Sequence, residues 1–171
     1  MPRKPDRRPE PADRPPGATG TDAGVLSSDE ARERLSLEFR SLEQHLEPLR
    51  NGTLGGLSAL RFRLNRLSIA ALAADDFGRY LVANDAAAAL TAYQVPELER
   101  MSVWDLTPGA DAHAGERLWS AFLEAGAQHG TYALQGKHGQ LPPIYYYART
   151  QLLPGVHVSL LLPLKRPVGH A

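Results

Sequence analysis

Residues 67–163 decide the fold, and they read LSIAALAADDFGRYLVANDAAAALTAYQVPELERMSVWDLTPGADAHAGERLWSAFLEAGAQHGTYALQGKHGQLPPIYYYARTQLLPGVHVSLLLP. Two short apolar segments flank the turn-forming residues Asp76, Phe77 and Gly78, and this pattern predicts a β-hairpin. Helical patterns occupy the middle of the stretch, and three strand-like segments separated by glycine and proline turns follow. This order of elements predicts one small α+β domain with an antiparallel sheet.

Turn and capping residues set the expected bounds of these elements. Asn84 caps a short helix over residues 86–93, because its side chain can satisfy free N–H groups in the first turn. Pro96 fits the first turn of a second short helix, and Asp111 caps a longer helix that Gly126 and Gly130 end. The expected strands are residues 69–74, 79–83, 131–135, 144–151 and 156–162.

The composition limits the classes of function. The chain has 171 residues and a net charge of zero, so no global field attracts nucleic acid, and no nucleic-acid partner is expected. It has no cysteine, which excludes disulfides, thiolate nucleophiles and cysteine-ligated metals. The sequence contains no apolar run long enough to span a membrane and no secretory signal, so a cytoplasmic protein is expected.

The residues before the core divide into two parts. Residues 1–24 are rich in proline and arginine and almost free of large apolar side chains, so we predict a disordered tail. Residues 25–66 are predicted to form a helical extension of two amphipathic helices broken near residues 48–56, where Pro48 and several glycines lie. Residues 164–171 are expected to form a short tail after the core.

Both helices of the extension carry an apolar stripe. Ser27 and Glu30 have the spacing of a capping box, which predicts the start of the first helix. Apolar residues then recur at steps of four and three, as a helix that packs on one face requires. The stripe of the first helix is Leu35, Phe39, Leu42, Leu46 and Leu49, and that of the second is Leu57, Leu60, Leu64 and Leu67.

With these features in place, residues 67–163 resemble a PAS domain. An asparagine opens the first short helix of that family, as Asn84 does here, and an aromatic residue often ends it, as Tyr93 does. The segment from Glu97 to Asp111 is similar to the one that follows in PAS domains. The family's next hairpin is matched by Gly130, Tyr132, Leu134, Lys137 and Gly139.

The resemblance implies a five-stranded antiparallel sheet and a helical face that together enclose a pocket. It also implies sensing and interaction, not catalysis. The sequence contains no nucleophile elbow, phosphate loop or zinc-protease motif, so no enzyme is expected. The candidate pocket residues are Asn84, Leu90, Tyr93, Trp104, Leu118, Phe122, Tyr132, Tyr146, Val158 and Leu160.

The resemblance leaves the cofactor undetermined. Cysteine-dependent flavin or chromophore chemistry is excluded, whereas haem and non-covalent flavin stay open without specific support. Haem would need an axial histidine, and the candidates are His113 and His129. No metal site is proposed otherwise, because no two histidines have helical ligand spacing. The histidines expected on the surface are His45, His138, His157 and His170.

Strand alternation predicts an interaction face on the sheet. Tyr145 and Tyr147 share a side with Arg149, which indicates the outer face, and Tyr146 then points inward. In the last strand, the polar residues His157 and Ser159 suggest that their side is the outer one as well. We expect an N-terminal helix to cover this face, within one chain or between two. The expected interaction face is Leu57, Leu60, Leu64, Leu67, Tyr145, Tyr147 and Leu161.

Two functional hypotheses follow. The first is a sensory PAS module that binds a small metabolite or a partner protein and signals through changes in association. The second is a PAS-like interaction or dimerisation module with a filled core and no ligand. The last strand is followed by only a few residues, without the Asp-x-Thr-like segment of many PAS domains, so no effector domain is expected. The expected partner is therefore a second copy or a signalling protein.

Overall fold

The computed structural model describes residues 26–50, 55–109 and 112–165. Four sequence-based expectations lie outside these residues. They are the disordered tail over residues 1–24, the break at residues 51–54, the capping role of Asp111, and the last six residues of the tail, including His170.

The described residues begin with two helices, as the apolar stripes predict. Helix α1 spans Ser28–Leu46, and its capping box forms: the Ser27 N–H donates to Glu30 Oε2 at 2.8 Å. A 3₁₀ turn at Glu47–Leu49 follows, with Pro48 in its first positions, and helix α2 spans Gly56–Asn65. The break between the helices therefore lies where proline chemistry places it.

The strands and remaining helices alternate as the sequence predicts. Strands β1 and β2 form the hairpin, and three α-helices, a 3₁₀ turn and β3 follow. The two-residue strands β4 and β5 make a small separate hairpin, and β6 and β7 end the fold. The bounds are β1 Ala70–Ala74, β2 Tyr80–Ala83, α3 Asp85–Thr91, α4 Val95–Leu98, a 3₁₀ turn Val103–Leu106, α5 Ala112–Ala125, β3 Ala127–Tyr132, β4 Gln135–Gly136, β5 Gly139–Gln140, β6 Ile144–Leu153 and β7 Val156–Pro163.

The main sheet has five strands in the order β2-β1-β7-β6-β3, and every neighbouring pair is antiparallel. The predicted α+β class with a five-stranded antiparallel sheet is therefore confirmed. The expected bounds of the third strand, residues 131–135, are wrong: α5 ends directly before Gly126, and β3 spans Ala127–Tyr132. Gly130, which was expected to end the helix, lies inside this strand.

Each face of the sheet carries its own hydrophobic cluster. One cluster, called helix-side below, joins α1 and α2 to one face of the sheet. The other joins α3, α4 and the 3₁₀ turn at Val103–Leu106 to the opposite face, and it is called cavity-side because a cavity lies there. Phe39 of α1 is fully buried on the helix side, with its ring centroid 5.4 Å from that of Tyr147. Arg149 lies over both rings and pairs with Glu43. The helices thus share one buried core with the sheet.

The register of β6 and β7 shows which side chains share a face. Tyr147 pairs with Leu160, and Tyr146 pairs with Leu161. Because directly opposed residues of antiparallel strands point to the same side, Leu160 belongs with Tyr147 on the helix side and Leu161 with Tyr146 on the cavity side. The prediction that placed Leu160 in the pocket and Leu161 on the interaction face is therefore wrong.

The physical reason is that the polar side of β7 does not face solvent. The polar side of β7 carries His157 and Ser159, and both line a cavity instead of meeting solvent. The aliphatic side, with Leu160, is the one that the N-terminal helices cover. A strand between a helix layer and a cavity can therefore place its polar residues inward.

Across residues 26–50, 55–109 and 112–165, no helix combines the length and the apolar character that a bilayer crossing requires.

Candidate functional site

A cavity of about 310 Å³ lies between the sheet and the helices on its cavity side. Its floor comes from β1, β6 and β7, and its walls come from α5, β3 and the 3₁₀ turn. Most of the lining side chains are apolar or aromatic. The lining residues are Leu72, Ala74, Tyr80, Val103, Trp104, Leu106, Thr107, Gly115, Leu118, Trp119, Phe122, Gln128, Tyr132, Leu134, Tyr146, Ala148, His157, Val158, Ser159 and Leu161.

Three tyrosines bring polar groups to this apolar cavity. Tyr80 is only 8% exposed, and the described residues offer its hydroxyl no hydrogen-bond partner. Tyr132 lies beside Thr107, whose side chain offsets part of the rise in the pKa of this phenol. Tyr146, like Tyr80, has no hydroxyl partner among the described residues, and its ring meets that of Tyr132 edge to face at 5.8 Å.

Burial affects the acidity of all three phenols. It raises the pKa of Tyr80 well above its ordinary value, and the neighbouring Tyr132 and Asp105 add to the rise. Burial also raises the pKa of Tyr132 and that of Tyr146. The cavity therefore presents neutral phenols, which donate hydrogen bonds, at ordinary pH.

The described part of the lining carries no residue with a formal charge. Among the described residues that line the cavity there is no Asp, Glu, Lys or Arg. The imidazole of His157 is 2% exposed, and both of its nitrogens are engaged. Nδ1 accepts from the backbone N–H of Gln151 at 3.0 Å, and Nε2 lies 2.8 Å from Oδ1 of Asp76. Because a backbone N–H can only donate, Nε2 carries the proton and donates to Asp76.

The same aspartate anchors one wall of the cavity. Trp119 of α5 donates from Nε1 to the backbone carbonyl of Asp76 at 2.8 Å. Its ring also meets Trp104 edge to face at 6.2 Å. The turn between β1 and β2 is thereby joined to α5 and, through His157, to β7.

The structure brings together six of the ten predicted pocket residues. Those that line the cavity are Trp104, Leu118, Phe122, Tyr132, Tyr146 and Val158. Leu118 lies at the rim, because it is 61% exposed. Val158 borders the cavity although its side chain packs in the helix-side cluster. Leu90 and Tyr93 pack behind the lining, in the cavity-side cluster, and Leu160 lies on the opposite face of the sheet.

Asn84 has a structural position and does not line the cavity. Its Oδ1 accepts from the backbone N–H groups of Ala71 and Ala87, both at 2.9 Å. Its Nδ2 donates to the carbonyls of Leu64 and Ile69, both at 2.8 Å. All four hydrogen bonds that an amide side chain can make are therefore used within the protein.

Neither predicted haem ligand reaches the cavity. His129 lies on β3, with Nδ1 2.8 Å from the Tyr145 hydroxyl and its ring stacked on Tyr147, which places it on the helix side of the sheet. His113 is exposed near the start of α5. His157 does line the cavity, but it has no free nitrogen, so these histidines do not fit an axial haem ligand. The expectation that His157 lies on the surface is wrong, whereas His45 and His138 are exposed.

The predicted interaction face is mostly brought together by α1 and α2. Leu60 and Leu64 are fully buried, and they share the helix-side cluster with Tyr145. Leu67 and Tyr147 are partly buried and pack against this cluster. Leu57 is 39% exposed and stays outside this cluster. The described residues contain no cluster of three or more His, Asp or Glu side chains that could hold a metal ion.

Comparison with solved structures identifies the fold. The chain is similar to a domain of the sensory box sensor histidine kinase/response regulator from Geobacter sulfurreducens, with a TM-score of 0.53, 18% identity, and coverage of 65% of this chain and 97% of that one. It is also similar to the PAS domain of a protein from Colwellia psychrerythraea, with a TM-score of 0.52, 17% identity, and coverage of 63% and 96%.

A third similar structure is the PAS domain of an HTR-like protein from Haloarcula marismortui, with a TM-score of 0.52, 16% identity, and coverage of 61% and 93%. No family model and no curated protein matches the sequence. The part of the chain that these structures cover therefore has a PAS fold. The resemblance inferred from the sequence is confirmed at the level of the fold.

Sequence reasoning missed several lining residues, and Tyr80 is the most informative. The pairing of β1 with β2 shifts between Ala73 and Ala74: Val82 pairs with Ala73, and Tyr80 pairs with Ala74. Leu81 is thus an extra residue, and Tyr80 and Val82 lie on opposite faces although they are two residues apart. A strict two-residue alternation could not have predicted that Tyr80 faces the cavity side, because no residue type in β2 indicates the irregularity.

Proposed function

We propose that this chain is a sensory module that binds a small molecule in its cavity and signals through a change in association, without catalysis of its own. The observation that carries the proposal is the cavity of about 310 Å³ between sheet and helices, which falls in the range of small-molecule sites. A filled-core interaction module would leave no such space, so the cavity favours the sensor over the alternative.

The lining chemistry supports binding over catalysis. His157 is the cavity residue best suited to move protons near neutral pH, and Asp76 and Gln151 occupy both of its nitrogens. Ser159 also lines the cavity, but without a free base beside it a serine hydroxyl is a weak nucleophile.

The sheet supplies a route from the cavity to the N-terminal helices. Strands β6 and β7 carry Tyr146 and Leu161 on the cavity side and Tyr147 and Leu160 on the helix side. A ligand that shifts these two strands also shifts the surface on which α1 packs, because the core is close-packed. We propose that the partner meets the outer side of this helix layer, where Leu37 and Phe62 are 56% and 58% exposed. A second copy of the chain is the first candidate for that partner.

The test is a thermal-shift screen of small molecules on the purified protein, combined with mass spectrometry of any molecule that copurifies. A ligand at one hundred times its Kd is expected to stabilise the protein by about 2.7 kcal/mol. Light scattering with and without that ligand then measures the association state, which we expect to change.

A cavity-filling variant provides the matched comparison. Ala148 is 7% exposed and lines the cavity, so Ala148→Phe should fill space and abolish the shift. Ala121 is exposed on α5, and Ala121→Phe adds the same ring outside the cavity and should keep the shift. Circular dichroism checks that both variants fold. If Ala148→Phe folds and still responds as the wild type does, the ligand does not bind in this cavity.

A further inference from the structure

We propose that the cavity selects a neutral, mostly apolar molecule that carries one hydrogen-bond acceptor, such as a carbonyl oxygen, and that Tyr80 is the residue that recognises it. This inference rests on the proposed ligand-binding function and specifies the chemical class of the ligand. It comes from three properties of the lining: its polar groups, its lack of charge and its size.

The polar groups of the lining define what the ligand must offer. Tyr80 is only 8% exposed and lines the cavity, and its hydroxyl has no hydrogen-bond partner among the described residues. A molecule that fills the cavity takes this hydroxyl out of contact with water, so a molecule that accepts its hydrogen bond gains affinity over one that cannot. The Tyr146 hydroxyl is a second donor in the lining without a partner among the described residues.

The absence of charge defines what the ligand must lack. No Lys or Arg lines the cavity among the described residues, so nothing neutralises a bound carboxylate or phosphate. The protonated nitrogen of His157 is directed at Asp76 and is not free for an anion. A cation would likewise find no carboxylate among the described residues of the lining. An ion that enters an apolar cavity without a counter-charge loses its hydration and gains little in return.

The cavity volume sets the size of the ligand. A volume of about 310 Å³ lies at the lower end of the range of small-molecule sites, which suits a compact ligand. Trp104, Trp119 and Phe122 supply flat apolar walls for a ring or a short branched chain.

Three probes of one shape test this class. Acetophenone offers a carbonyl, α-methylstyrene replaces that oxygen by a methylene group, and benzoate carries a charge. Nuclear magnetic resonance titration of the wild-type chain measures the Kd of each. One hydrogen bond predicts that acetophenone binds about three- to tenfold more tightly than α-methylstyrene. Benzoate is expected to bind more weakly than both.

Two variants assign the preference to a residue. Tyr80→Phe removes only the hydroxyl, so it should bring acetophenone to the level of α-methylstyrene while leaving the Kd of α-methylstyrene unchanged. Tyr93→Phe makes the same change outside the lining and should keep the wild-type preference.

The outcomes separate this inference from the proposed function. If α-methylstyrene binds as tightly as acetophenone, or benzoate binds most tightly, the neutral-acceptor class is wrong while a ligand cavity is retained. If acetophenone keeps its preference in Tyr80→Phe, Tyr80 is not the recognising residue. If none of the three probes binds and the thermal-shift screen is also negative, the proposed function fails together with the class.

Discussion

The side-chain amide of Asn84 donates a hydrogen bond of 2.8 Å to the backbone carbonyl of Leu64, the last buried residue of α2. The same side chain bonds to Ile69, to Ala71 of β1 and to Ala87 of α3. One fully buried residue therefore joins the N-terminal helix layer, the sheet and the first helix of the cavity side. The junction between helix layer and PAS fold depends on this residue.

Asn84→Ala is expected to lower the free energy of unfolding by at least about 3 kcal/mol, because it leaves several buried backbone groups without partners, each costing about 1–3 kcal/mol. Chemical denaturation measures the change. Asn65→Ala is the control: Asn65 is exposed at the end of α2, so its replacement should change stability by less than about 0.5 kcal/mol. Equal stabilities for the two variants would contradict the role given to Asn84.

Phe39→Ala tests whether α1 is part of the core. Phe39 is fully buried between α1 and the sheet and packs on Tyr147, so its truncation should cost about 3–5 kcal/mol of unfolding free energy. Leu37 lies on the same helix but is 56% exposed, and Leu37→Ala should have little effect. Denaturant titration of both variants decides the matter. A small effect of Phe39→Ala would show that the helix layer does not cover the sheet in solution.

Gly78→Ala tests the packing of the turn between β1 and β2. Gly78 has a φ of 76°, and an added Cβ would lie 3.0 Å from carbon atoms of both Trp104 and Val103. The left-handed backbone alone costs about 1–2 kcal/mol for alanine. Close contacts should add about 1–3 kcal/mol and displace Trp104, which tryptophan fluorescence would detect.

Gly109→Ala separates these two contributions. Gly109 has a φ of 64°, but an added Cβ would meet no atom within 4 Å. It should therefore cost only the backbone strain and leave the fluorescence unchanged. The packing explanation is untenable if both glycine variants lose the same stability and keep the wild-type emission.

Alkaline pH should destabilise the protein through Tyr80. Burial raises the pKa of this phenol in the folded state above the value of about 10 that it has when unfolded. The unfolded chain therefore loses the proton first, so the stabilisation is complete below about pH 10 and decreases as the pH rises above it. Unfolding measured from pH 8 to pH 11, with tyrosinate absorbance alongside, should show this decrease.

Tyr80→Phe supplies the comparison for the alkaline experiment. Without its ionisable hydroxyl the variant should lose less stability than the wild type above about pH 10. Tyr132 and Tyr146 also have raised pKa values, so part of the decrease should persist. Identical pH profiles for variant and wild type would show that Tyr80 ionises as freely in the folded state as in the unfolded one.

Local chemistry made much of the fold predictable. The capping box at Ser27 and the cap at Asn84 involve residues three apart, so their partners are visible in the sequence. The apolar stripe through Leu35 and Phe39 likewise identifies the buried side of α1, because helical periodicity follows from the chain alone. These signals sufficed for the order of elements and for the PAS resemblance.

The candidate site depended on contacts that are distant in sequence. His157 reads as a surface residue, yet it lies 81 positions from the Asp76 that holds it in the lining of the cavity. The irregularity between Ala73 and Ala74 turned Tyr80 toward the cavity, which alternation could not predict. Asn84 was expected in the pocket, although its amide is fully used by backbone groups from three elements.

The sequence by itself determined the α+β class, the helix layer before the core and the absence of cysteine chemistry, because each follows from composition or from short-range periodicity. Only the tertiary structure decided which side of β7 faces the helices and which hydroxyls enter the cavity. The sides of a strand become distinct only when other elements pack on them, as α1 does on the face of Tyr147 and Leu160.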